Sequence, residues 1–86
     1  MAKQEITFHN KTDIKVQAQV FASTRLIGTY STKSGQSCKI EMENAGQDIF
    51  FRDGTTGREI ARNLDNRLKS LTISKEKGGW YIISEV

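Results

Sequence analysis

Gln47-Asp48-Ile49-Phe50-Phe51-Arg52-Asp53-Gly54-Thr55-Thr56-Gly57-Arg58-Glu59-Ile60-Ala61-Arg62 is the stretch whose reading decides the fold. It contains the densest apolar run, the clearest turn signal and the most concentrated positive charge. Ile49, Phe50 and Phe51 are consecutive, the pattern of a central strand covered on both faces. Asp53 to Gly57 supplies two glycines, and glycine takes the positive φ that hairpin loops demand. Arg58 to Asn63 then returns antiparallel. A helix competes for the return: Ile60, Ala61, Leu64, Leu68 and Leu71 also share a helical face, and Thr56-Gly57-Arg58-Glu59 fits a capping box. Asp65-Asn66 in the middle of that window points to a turn. The expectation is therefore a hairpin and an all-β fold, with one helix at about 57–70 and an α+β fold as the alternative.

Working outward, the same period-2 pattern recurs. Ile6 and Phe8 alternate with Glu5, Thr7 and His9. Ile14, Val16, Ala18, Val20 and Ala22 share one face of a long strand, with Lys15, Gln17 and Gln19 on the other. Phe21 breaks that alternation and falls on the wet side. Leu26 to Ser31 is a short strand with Gly28 as a bulge or close-approach point. Cys38, Ile40 and Met42 point inward from Ser37 to Met42. Leu71 and Ile73 share a face, and Trp80, Tyr81, Ile82 and Ile83 suggest a last strand buried on both sides. Turns fall at Asn10 to Asp13, Lys33 to Gln36, Glu43 to Gly46 and Lys75 to Gly79, roughly every ten residues, the rhythm of a sandwich or barrel. The reading is one domain spanning 1–86, a small antiparallel β-sandwich of seven or eight strands. Its expected core is Ile6, Phe8, Ile14, Val16, Ala18, Val20, Ile40, Ile49, Phe51, Ile60, Leu71, Ile73 and Ile82.

Composition narrows the function classes. Hydrophobic residues make up 36% and charged residues 27%, as in an ordinary globular protein rather than a disordered one. With no proline, sheet edges must be defended by charge, and 13 Lys+Arg with 10 Asp+Glu supply it. A single cysteine, Cys38, forms no intrachain disulfide and fits a reducing compartment. No run is long enough to span a bilayer and the first residues carry no apolar leader, so the chain is expected to be cytoplasmic, without a membrane partner.

No catalytic constellation stands out. His9 is the only histidine and sits beside a turn, where a solvated side chain is the commoner role. A lone Cys with a lone His falls short of structural-zinc spacing, and Cys38 on an inward face reads as a small buried hydrophobe. Glu41, Glu43 and Asp48 gather around one turn but match no calcium loop. Asp53 to Gly57 lacks the lysine and following helix of a phosphate loop. Asn10-Lys11-Thr12 matches a glycosylation sequon, and a plain turn is the simpler reading. The chain is accordingly read as a non-enzyme with no cofactor and no metal.

Two binding classes remain. Arg52, Arg58, Arg62, Arg67 and Lys69 gather around the hairpin, and Phe50, Trp80 and Tyr81 offer stacking surfaces, which suits nucleic acid. The net charge of +3 permits it. Asp53, Glu59 and Asp65 in the same window cancel much of that field. A protein- or peptide-recognition module needs no titratable constellation and agrees with strands that have one polar face rich in Gln, Thr, Ser and Lys.

Asp48 to Asn63 resembles the β domain of the von Hippel–Lindau tumour suppressor family. That family has a Phe-Arg-Asp segment, a Gly-containing turn and an apolar strand ending near an Asn, matched here by Phe51-Arg52-Asp53, Gly54 to Gly57 and Ile60 to Asn63. Phe8-His9-Asn10 resembles the family's Phe-x-Asn start, Val16 to Phe21 its next strand, and Tyr30 falls near a tyrosine of its ligand pocket. The resemblance covers residues 6 to 74 and implies a seven- or eight-stranded sandwich serving in protein recognition. The tryptophans and histidines of the family's hydroxyproline pocket are absent, with Val20, Gln47 and Ile49 at the matching positions, and so is its helical domain. The resemblance therefore does not imply hydroxyproline binding.

Together these readings expect a recognition module for a protein or peptide, with nucleic-acid binding through residues 52–69 as the alternative. The expected binding surface is Arg52, Arg58, Arg62, Arg67, Tyr30 and Trp80. The expected state is a monomer or a weak homodimer.

Overall fold

Alternation forces each segment to commit one face to the core. The structure, a computed structural model describing residues 4–43, 46–79 and 81–85, shows the outcome as eight strands with no helix among the described residues. They are β1 (Gln4–Asn10), β2 (Val16–Ala22), β3 (Arg25–Thr32), β4 (Ser37–Met42), β5 (Gln47–Asp53), β6 (Glu59–Asn66), β7 (Ser70–Lys75) and β8 (Tyr81–Glu85). They form two four-stranded sheets, ordered β4-β1-β7-β8 and β3-β2-β5-β6. Hairpins join β2 to β3, β5 to β6 and β7 to β8, and the other connections cross between sheets. Every ladder is antiparallel except β1 with β7, which runs parallel with Phe8 opposite Leu71.

The inward residues close into one core. Ile6, Phe8, Val16, Ala18, Val20, Ile40, Met42, Ile49, Phe51, Leu71 and Ile73 are fully buried. The Phe8 and Phe51 rings meet across the two sheets at 5.1 Å between centroids. Ile14 and Ile60, also expected inside, pack at the margin and stay partly exposed. Ile82 departs from the expectation: it is 36% exposed. The reason is that each sheet of the sandwich packs only one face on the core, so Tyr81 and Ile83 reach it while Ile82, between them, points outward. The expected burial of the last strand on both faces is corrected accordingly.

The helix alternative at about 57–70 is also overturned. The Asp53 carboxylate accepts the amides of Thr55 and Thr56, and the Gly57 amide returns to the Asp53 carbonyl at 2.8 Å. Gly57 sits at φ 77, in the left-handed region that favours glycine. Thr56 does not cap a helix: its hydroxyl accepts the Arg58 amide two residues on, a local turn. The expected turn at Asp65-Asn66 becomes a kink within β6, where Asp65 takes φ 53. Gly28 fulfils its reading as a close-approach point, since a Cβ there would lie 3.0 Å from the Tyr30 ring.

One polar side chain ties the crossing from β1 to β2. Asn10 is 1% exposed. Its amide nitrogen donates to the carbonyls of Ile14 (2.8 Å) and Thr32 (2.9 Å). Its amide oxygen accepts the Thr12 amide and hydroxyl. Its backbone N–H donates to Gln36 and its backbone carbonyl accepts from Gly35. The sequon at Asn10 is thus enclosed in the fold. Asn10→Ala removes the side-chain partners of the Thr32 carbonyl and the Thr12 amide, while the Ile14 carbonyl keeps the Thr12 hydroxyl at 3.0 Å, and each orphaned buried group costs about 1–3 kcal/mol. Chemical denaturation is expected to show a loss of about 2–4 kcal/mol. Asn10→Asp is expected to be worse at neutral pH, because an ionised carboxylate cannot donate to either carbonyl. Burial against carbonyls raises the folded-state pKa of that acid, so the deficit shrinks as pH falls through it. A deficit that did not change with pH would show that the donor function is not what matters.

Candidate functional site

The outer face of the β3-β2-β5-β6 sheet carries side chains that a merely solvated face would not. Register sets them out. Gln17, Gln19 and Phe21 on β2 lie opposite Arg52, Phe50 and Asp48 on β5, and Phe50 lies opposite Arg62 on β6. With Ile49 and Phe51 committed to the core, alternation sends Phe50 outward. The half-buried Phe21 and Phe50 rings sit 5.1 Å apart and tilted by 56°. The Arg62 guanidinium lies over Phe50, 5.0 Å from its centroid. Strand alternation places Leu64 on the same side as Arg62, and it is 55% exposed. Leu26, opposite Phe21 in the register, is 47% exposed. The result is an aromatic–aliphatic row with arginine stacked against it.

The polar neighbours hold this row in place. Arg52 donates from Nε to the Gln19 side chain at 2.8 Å and from Nη1 to the Gly57 carbonyl at 3.1 Å. Arg62 donates from Nε to Glu59, whose carboxylate pushes the guanidinium pKa further up, first through that hydrogen bond and then through its charge. Arg62 therefore stays cationic, with its positive face shared between a ring and a carboxylate.

The sequence cluster is thus divided in space. Arg52 and Arg62 share the outer face. Arg58 lies by the β5–β6 hairpin, lining a cleft with Lys75 and Tyr81. Arg67 lies beyond the other end of β6, paired with Asp65 at 3.2 Å. Trp80 lies outside the described residues. Phe50, counted as a central residue with both faces covered, is in fact sheltered only partly, by Phe21 and Arg62. Phe21 was the participant hardest to foresee: its partner is in a strand more than twenty-five residues away, and the signal was only its position on a wet face.

Tyr30 occupies a different place. It lies on the inner side of β3, opposite Ala18. Its hydroxyl accepts the Glu41 amide (3.3 Å) and donates to the Glu41 carbonyl (3.4 Å) on β4. A cleft of about 330 Å³ beside it is lined by Ile27 and Met42, with the Arg25–Glu43 ion pair at its rim. Tyr30 thereby closes the edge of β4 against further strand pairing.

The remaining titratable groups do not converge. His9 shares a hydrogen bond with Ser37 at 2.6 Å, while the Cys38 sulfur accepts the Thr32 hydroxyl at 2.8 Å. His9 and Cys38 belong to adjacent register pairs and so face opposite sides of their sheet. Asp48 accepts the Asp65 amide, and Glu43 pairs with Arg25. No group of three or more His, Cys, Asp or Glu among the described residues is placed to hold a metal ion. No helix among them is long and apolar enough to cross a membrane.

No family model, no curated protein and no solved structure matches this chain.

Tyr30→Phe removes the hydroxyl and leaves the ring. Urea denaturation is expected to show a loss of about 0.5–1.5 kcal/mol. Amide hydrogen exchange is expected to quicken at Glu41 before it does at Ile40, whose amide faces β1.

Proposed function

We propose that this protein is a non-enzymatic recognition module for another protein or a peptide, and that the outer face of the β3-β2-β5-β6 sheet is its contact surface. The observation that carries this reading is the half-buried Phe21–Phe50 pair with Arg62 stacked on it, on the outer face beside the exposed Leu64. Wet sheet faces are ordinarily polar. Exposed aromatic rings and arginine are the residue types that concentrate binding energy in protein interfaces, and a contiguous apolar patch with a polar rim marks an interaction site. Gln17, Gln19, Asp48 and Glu59 supply that rim. The resemblance of Phe51-Arg52-Asp53 and its surroundings to a recognition sandwich supports the same class. A cytoplasmic setting fits the single cysteine, Cys38.

Nucleic acid is the second reading, favoured by one observation: an arginine stacked on a ring on an open sheet face, the platform single strands use. The charges weigh against it. Arg62 and Arg67 are each committed to a carboxylate, and Arg52 to neutral acceptors.

Capture experiments from native lysate test the proposal with Phe50→Ala and Arg62→Glu beside the parent protein, all three checked for unchanged thermal unfolding. A polypeptide retained by the parent is expected to be lost from both variants, each substitution costing about 2 kcal/mol or more of binding. Identical retention by all three, or none above bare resin, would count against it. Binding to a labelled single-stranded oligonucleotide that weakens steeply with salt would favour the second reading instead.

A further inference from the structure

We infer that β8 is a self-association edge, pairing antiparallel with β8 of a second copy about a twofold axis at Ile83. Each sheet has two edge strands, so the fold exposes β3, β4, β6 and β8. Three of them are obstructed. On β4 the Tyr30 hydroxyl engages both backbone groups of Glu41, and the Gln47 side chain accepts the amide just beyond, at Glu43. On β3 the ladder shifts register near Gly28, and Arg25 is drawn across to Glu43. On β6 the chain kinks at Asp65, the register slips twice, and the ion pairs Arg62–Glu59 and Arg67–Asp65 line the strand. Bulges, kinks and charge are the devices by which edges avoid further pairing.

β8 has neither bulge nor kink, and its one charged position is Glu85 at its end. Its ladder with β7 runs without a shift from Leu71–Glu85 to Lys75–Tyr81. Tyr81, Ile82, Ile83 and Ser84 carry no charge, and among the described residues no side chain bonds their backbone. Unpaired amides and carbonyls along a straight strand accept one kind of occupant, another extended strand.

Self-complementarity selects a second copy. With the axis at Ile83, Ile83 faces Ile83, Ile82 faces Ser84, and Tyr81 faces position 85, a glutamate. No like charges oppose one another. The Lys75 ammonium lies over the Tyr81 ring, 5.9 Å from its centroid. On the outer face the pairing brings the two copies of Ile82 into diagonal contact, and each is now 36% exposed among hydroxyl residues. The dimer would join two four-stranded sheets into one continuous eight-stranded sheet. It leaves the Phe21–Phe50–Arg62 face open on both copies, so it stands independently of the proposed function.

Sedimentation velocity on the purified chain, from micromolar to millimolar concentration, tests this with Ile82→Lys and, as a control exposed hydrophobe, Leu64→Lys. The parent and Leu64→Lys are expected to shift from monomer to dimer together. Ile82→Lys, which sets two lysines diagonally across the axis, is expected to weaken association at least about tenfold. Circular dichroism confirms that each variant folds. A parent that stays monomeric throughout, as it would if β8 serves a strand of another protein, overturns the inference. So does a dimer that Ile82→Lys leaves intact or that only Leu64→Lys disrupts.

Discussion

The side-chain amide of Asn10 is the constraint on which the sandwich depends. Apolar burial drives the two sheets together, but it is non-directional and does not say how the chain must cross between them. Asn10 says so. It closes β1, shapes the turn through Thr12, holds the start of β2 through Ile14 and reaches the end of β3 through Thr32. Its backbone also receives Gly35 and Gln36 from the β3–β4 connection. Two of the crossings between sheets therefore meet at one buried residue. In a domain of 86 residues with a small core, a fully satisfied polar junction of this kind sets one register where burial alone would tolerate several.

From that junction the positions of the exposed groups follow. β2 leaves Asn10 with Val16, Ala18 and Val20 inward, which obliges Gln17, Gln19 and Phe21 to face out. β5 pairs beside it with Ile49 and Phe51 inward, which obliges Phe50 to face out next to Phe21. The aromatic row is thus a consequence of two strands whose other faces are fully committed. What chemistry added is the arginine: Arg62 stacks where an aliphatic residue would have sufficed for cover, and it keeps a cation on the row.

Much of the fold was legible because its signals are local. The alternation of Ile14 to Ala22, the turn at Asp53 to Gly57 and the close approach at Gly28 are each set within a few residues. What was not legible depends on partners far along the chain. The parallel pairing of β1 with β7 joins segments with five other strands between them. Asn10 reads as a turn former, and its bond to Thr32 cannot be inferred from its neighbours. Ile82 reads as core because four apolar residues run together, yet a strand in a two-layer sandwich buries only every second one. The arginines looked like one cluster because they are close in sequence, but strand alternation and the length of β6 separate them. Tyr30 was singled out by resemblance and serves the structure as an edge closure.

Amide chemical-shift mapping of the isotope-labelled protein against its captured partner is the most direct test of the contact surface. Perturbations confined to Gln19, Phe21, Phe50, Arg52, Arg62 and Leu64 are expected if the outer face of the β3-β2-β5-β6 sheet is where the partner sits. Perturbations gathered on the opposite sheet, at His9, Ser37 and Thr72, with that row unmoved, would contradict it.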